Sequence, residues 1–249
     1  MAIIALFIAL SNRGGTTAAG IGQAVPPAIM RELAQVDPKV LAEVKTGALN
    51  SPLTAEKSTP VLKSTDGKPR IVYIGAEYCP YCAAQRWSLI VALSRFGTFG
   101  DLKLSMSSST DTFANTNTFT FVGSTYNSTF IDFAPVETMD REQKPLQTPT
   151  AEQSAVLAQF SPSGGIPVTS VANQYVVLGS GFDPALIQGA TWEQIAAKLG
   201  NSQDPVARGI LGNANYLTTA ICKVTNDEPS TVCKAAPIPE MEQQLTNGR

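Results

Sequence analysis

Histidine is absent from all 249 residues. Its absence excludes Ser-His-Asp and Cys-His nucleophile arrangements and every histidine-ligated metal site. Acid–base chemistry near neutral pH is left to thiols and to carboxylates with shifted pKa values. Charge is scarce as well. Lys and Arg number 18 against 20 Asp and Glu, a formal net charge of −2, with no long basic run. A surface for nucleic acid or for an anionic membrane is therefore not indicated. Long apolar runs are also missing. MAIIALFIAL, Met1–Leu10, would cover only about 15 Å as a helix, against roughly 30 Å of bilayer hydrocarbon. It lacks the basic n-region of a complete signal peptide. We read it as the remaining end of an anchor or signal that starts upstream, with an ordinary buried N-terminal element as the alternative. SNRGGTTAAGIGQAVPP follows and reads as a linker, so 1–25 stands apart from the rest.

What remains is enough for a globular core: 43% of residues are apolar and 15% charged, outside the range of disordered chains. Pro26 to Gly47 reads as two short helices, the second opened by Asp37-Pro38. Asn50 to Pro60 reads as a loop. Val61–Leu62 and Ile71–Ile74 read as strands around the turn Thr65–Lys68. The near-continuous apolar run IVYIG is that of a strand covered on both faces. A helix is expected from Pro80 to Phe96, with Trp87, Ile90, Val91 and Leu93 as core contacts. Strands follow near Leu102–Met106, Thr118–Val122 and Thr129–Val136, the last two in a Thr/Ser/Asn-rich stretch. Pro149–Phe160 has helical character. VTSVA and QYVVLG, with Asn173 between them, read as a hairpin. Thr191 caps a helix ending before Gly200, and Asp204-Pro205 opens a last helix to about Cys222. The tail after Cys233 is polar and Pro-rich, and is expected to be mobile.

The four cysteines are the most distinctive chemistry. Cys79 and Cys82 flank Pro80-Tyr81, between a buried strand and a helix. At a helix N-terminus, unpaired N–H groups and the positive end of the dipole favour thiolate over thiol. Cys79 would be the nucleophile, and Cys82, one turn later, would resolve the mixed disulfide. The competing readings are half of a zinc site, needing Cys222 and Cys233 as the other half, and a purely structural disulfide. The polar segment between Cys222 and Cys233 contains Pro229 and reads as a surface loop closed by a structural disulfide. That closure would contribute on the order of 3 kcal/mol and would imply an oxidising compartment. The sharper alternative is a second redox pair that exchanges electrons with the first. Asn127-Ser128-Thr129 fits a glycosylation acceptor, informative only in a eukaryotic secretory context.

Ala76–Cys82, AEYCPYC, and the downstream Gly165–Thr169, GIPVT, together resemble the thioredoxin superfamily. The element spacing and cysteine layout also resemble an uncharacterised prokaryotic thioredoxin-like family known only as a domain of unknown function. The resemblance covers about 60–200. It implies an α/β thioredoxin-like fold with N-terminal helices, a domain over 26–225 and an insertion at about 107–163. A helical, disulfide-closed C-terminal extension would follow, its loop and tail at 226–249. It also implies a cis peptide at Ile166-Pro167, with Pro167 packed on the redox pair. The implied activity is thiol–disulfide exchange in an extracytoplasmic compartment, by a membrane-anchored or secreted protein. Its substrates would be protein thiols or disulfides, and a membrane or soluble redox partner would serve it. Cys79, Cys82 and Pro167 would be catalytic, and Tyr78, Pro80, Tyr81 and Ile166 would line the substrate face. No cofactor or metal is expected, because the pair itself carries two electrons. A binding or assembly module of the cell envelope is the alternative. One departure stands out. Tyr73 occupies the position of the superfamily's buried acid, and Glu77 is the nearest carboxylate in sequence.

Overall fold

The run Arg70–Gly75 is apolar on both faces because helices cover both. A computed structural model describes residues 20–56 and 59–247, so the expected anchor remnant, Met1–Leu10, lies outside the described residues. In chain order the elements are α1 (Pro27–Ala34), α2 (Pro38–Val44), β1 (Leu53–Ala55), β2 (Arg70–Gly75) and α3 (Pro80–Ser94). Then come β3 (Thr98–Gly100), β4 (Lys103–Met106), β5 (Asn117–Thr120), β6 (Thr125–Asn127), β7 (Asp132–Glu137) and α4 (Ala151–Phe160). The chain ends with β8 (Val168–Val171), β9 (Tyr175–Leu178), α5 (Trp192–Lys198), α6 (Pro205–Val224), α7 (Ser230–Cys233) and α8 (Ile238–Asn247). Among the described residues no helix is long and apolar enough to cross a membrane.

The main sheet has the order β1-β9-β8-β2-β7. Only β2 and β7 run parallel; β8, β9 and β1 are antiparallel to their neighbours. Alternation along β2 divides its side chains between two cores. Ile71 and Tyr73 face the larger core, which holds α3, α5 and α6, while Val72 and Ile74 pack with Val136, Val156 and Val168 under α4. Thr150 and Gln153 form a reciprocal capping box that starts α4. Pro135 is carried by the edge strand β7, where proline is tolerated.

The stretch 107–163, expected as an insertion, divides between two environments. β7 belongs to the main sheet and α4 covers its face, whereas β5 and β6 pair with β4 and β3, which precede the stretch, in two small antiparallel ladders. The Thr/Asn texture of β5 has a physical reason. Thr118 Oγ1 donates to Ala83 O in α3 at 2.8 Å, and Asn117 Nδ2 donates to Ala190 O before α5 at 2.8 Å. Polar side chains here satisfy buried backbone carbonyls of neighbouring segments.

Several expectations are corrected. The loop read at 50–60 contains β1, an edge strand on β9. Val61–Leu62 is not a strand; Leu62 N donates to Ala172 O and only Lys63 and Pro69 form a bridge. The helix opened by Asp204 runs through Cys222 to Val224 and is not the last. The segment between Cys222 and Cys233 ends in the short helix α7, and both cysteines are buried. The tail is not loose: Ile238 and Met241 on α8 are buried. Their 3–4 residue spacing in IPEMEQQL is an apolar stripe that the prolines and polar residues around it disguised.

Candidate active site

Cys79 is the N-cap of α3, and its Sγ accepts the Cys82 backbone N–H at 3.3 Å. Pro80 takes the first helical position, where the missing N–H costs nothing. Cys79 and Cys82 are not bonded to each other. Cys79 keeps 6% exposure and Cys82 none. The two thiols are driven apart. Hydrogen bonding from Cys82 lowers the Cys79 pKa against burial, helped by its backbone N–H and the Arg86 charge. Burial, and then Cys79 itself, push Cys82 well above its ordinary value. The arrangement therefore makes Cys79 the more acidic and the slightly more accessible sulfur, beside a less acidic, enclosed Cys82.

The register of β2 with β8 pairs Ile74 with Val168. Pro167, after a cis Ile166-Pro167 bond, is thus placed beside Gly75, at the end of the sheet that carries the cysteines. Of the residues expected on a substrate face, Tyr81 is exposed and stacks edge-on with Phe113 at 6.1 Å. It opens onto a groove of about 480 Å³ lined also by Leu178, Phe182 and Pro184. Tyr78 is half-buried and its carbonyl accepts Ser108 N at 2.8 Å. Pro80 is buried, and the Ile166 side chain turns towards the core beneath α4.

The residues that sequence reasoning missed lie beneath the pair. Arg86, one turn after Cys82 on α3, is fully buried and grips Glu137 at the end of β7. Its Nε donates to Glu137 Oε1 at 2.8 Å, and its Nη2 donates to Oε2 at 2.6 Å and to Ala76 O at 2.8 Å. Burial raises the Glu137 pKa, while the arginine's charge pulls against that shift. Tyr73 on β2 points its hydroxyl into the same buried space without a hydrogen-bond partner, and burial raises its pKa well above the usual value. A Cβ at Gly75 would collide with that hydroxyl, so only glycine fits there. The sequence did carry one signal. Gln85-Arg86 interrupts an otherwise apolar helix and has no exposed face to occupy.

Gln85 does a different job. Its Nε2 donates to Thr169 Oγ1 at 3.1 Å, and its Oε1 accepts Asn213 Nδ2 at 2.8 Å and Gly181 N at 3.2 Å. One buried amide thus holds α3 to β8, to α6 and to the loop at Gly181 beside the groove. Among the described residues no cluster of three His, Cys, Asp or Glu could hold a metal ion.

Fold and site together define a mixed α/β protein with an open dithiol at a helix N-terminus and a closed disulfide elsewhere. Residues 57–165 match the family model described as Domain of unknown function (DUF929). The match covers less than half of the chain; it takes in Cys79, Cys82, Arg86 and Glu137, and stops before Pro167. No curated protein and no solved structure matches the chain.

Proposed function

We propose that this chain is a thioredoxin-like thiol–disulfide oxidoreductase acting on protein thiols or disulfides in an extracytoplasmic compartment. The observation that carries the reading is Cys79: an unbonded thiol at the N-cap of a 15-residue helix, with a lowered pKa and its partner Cys82 three residues on. The path β2–α3–β7–α4–β8–β9, with Pro167 at the cysteine end of the sheet, supports the thioredoxin-like plan. The two small ladders between α3 and β7 are then an addition to it.

In the reducing direction the Cys79 thiolate attacks one sulfur of the substrate disulfide. A Cys79–substrate bond forms, the substrate S–S bond breaks, and one substrate thiolate leaves. Cys82 then loses its proton and attacks Cys79 Sγ. The second substrate thiolate leaves, and the pair ends as a disulfide, two electrons poorer. Oxidation of a dithiol substrate runs through the same steps in reverse. Tyr78 and Tyr81 form the apolar platform, and the Ile166 backbone pairs with an extended substrate by strand addition. A second protein, in the membrane or in solution, exchanges electrons with the pair between turnovers. The Cys222–Cys233 disulfide supports an oxidising compartment, and the apolar Met1–Leu10 fits a membrane tether.

The test is exchange between the reduced chain and a protein disulfide. Cys79→Ser should abolish it, and Cys82→Ser should accumulate a mixed disulfide through Cys79. The near-complete burial of the pair, 6% and 0% exposure, favours a second reading as a binding or assembly module. An exchange rate that Cys79→Ser leaves unchanged would select the module and sink the enzyme.

A further inference from the structure

Helix α3 ends in a second arginine, half-buried, and this one has no counter-ion. Arg95 is the C-cap residue of α3. Its backbone N–H donates to Ala92 O and Leu93 O, but its guanidinium makes no hydrogen bond or ion pair with any described residue. Nη1 is shielded from solvent and has no partner. The contrast with Arg86 lies in the counter-ion: Arg86 Nη1 also lacks a partner, but its Nε and Nη2 are held by Glu137 and Ala76. Burial alone lowers the Arg95 pKa to about 10, with no acidic side chain offsetting it, so it remains a cation at neutral pH. The helix C-terminus attracts a cation, yet no carbonyl accepts from this side chain.

The guanidinium lines a cleft of about 200 Å³ whose other walls are mostly apolar, Leu33, Val36, Leu41, Val91 and Val232 among them, with Thr231 the other polar side chain. The cleft lies between the α1–α2 segment and α7. Arg95 is 13 residues beyond Cys82 on the same helix, which is about 20 Å at 1.5 Å per residue. It is therefore separate from the thiols and independent of the oxidoreductase reading.

A half-buried guanidinium with one shielded, unpartnered nitrogen is matched by a carboxylate, through charge-assisted and bidentate hydrogen bonds. Largely apolar walls beside one charged group favour a ligand with an apolar body. A volume of about 200 Å³, at roughly 30 Å³ per non-hydrogen atom of the size of water, holds roughly seven such atoms. We propose that Arg95 and this cleft bind a short-chain carboxylate, the carboxylate on the guanidinium and the alkyl chain between α1–α2 and α7.

The probe is hexanoate, titrated into the full chain with isotopically labelled valine methyls, beside hexan-1-ol as a neutral analogue of the same length. Hexanoate should move the Val91 and Val232 signals in a saturable way and bind at least tenfold more tightly than hexan-1-ol. Arg95→Gln should remove that preference. Equal binding of acid and alcohol would overturn the proposal, as would saturation at residues remote from the cleft or no saturable shift at millimolar hexanoate. The acid–alcohol comparison is made on the native chain, so it holds even if Arg95→Gln does not fold.

Discussion

The two cysteine pairs are both buried, and they sit at opposite ends of their helices. Cys79 caps the N-terminus of α3, whereas Cys222 lies in the last turn of α6 and Cys233 ends α7. An N-terminus stabilises thiolate by its N–H groups and dipole; a C-terminus disfavours it. The first pair is open and spaced by one turn above the Arg86–Glu137 ion pair. The second is closed, with Cα atoms 5.5 Å apart across 11 residues, and its surroundings are apolar. The same residue type is thus left as an open pair of thiols in one place and held as a disulfide in the other. The helix end it occupies and the charge beneath it make the difference.

The largest expected effect comes from removing the charge beneath the first pair. Arg86→Met would strand Glu137 without a counter-ion in a fully buried site. That should cost about 3–5 kcal/mol, read as a lower urea midpoint with unchanged slope. A loss below about 1 kcal/mol would mean that water reaches Glu137 and that the two pairs differ less than their surroundings suggest.

Next is the staple. Replacing Cys222 and Cys233 together by serine should lower stability by about 2–4 kcal/mol. Thiol–disulfide exchange should persist below the lowered melting temperature. If the folded double variant keeps exchange with a small disulfide but loses turnover with a protein reductant, the second pair relays electrons and the contrast fails.

The smallest effect is chemical selectivity. After reduction, alkylation below the ordinary thiol pKa should label Cys79 at least tenfold ahead of Cys82, a ratio set by thiolate fraction. The signs of the two linkages are opposite. The Cys79 pKa is lowered on folding, so its contribution to stability is present above the unfolded thiol pKa and fades as pH falls through the folded one. The Cys82 pKa is raised, so its contribution is present below the unfolded value and is lost as pH rises through the folded one. Unfolding in urea should erase the selectivity; equal labelling in the folded protein would sink the assignment of nucleophile.

Much of the fold was legible because local patterns were strong. The run at Arg70–Gly75, the capping box Thr191–Gln194, the Asp204-Pro205 start of α6 and the hairpin around Asn173 all lie where propensity and tertiary packing agree. Short edge elements were harder. β1 is three residues long and exists only because β9 offers an edge to it. α8 hides two buried apolar residues in a polar, proline-flanked segment whose order comes from packing on α6.

The sequence by itself determined the chemistry on offer: no imidazole, one close-spaced thiol pair at a strand-to-helix junction, and a second pair in loop-like surroundings. Those follow from residue identity and short-range spacing, which the chain carries without folding. Tertiary structure decided what each charged group does. Arg86 and Arg95 stand nine residues apart, within α3 and at its C-cap, and nothing in the sequence says which of them meets a counter-ion. Glu137, 51 positions beyond Arg86, neutralises the first through the parallel pairing of β7 with β2, while the second is left facing a mostly apolar cleft. The reason is that burial and charge compensation depend on groups brought together from distant parts of the chain, whereas helix starts and thiol spacing depend on neighbours.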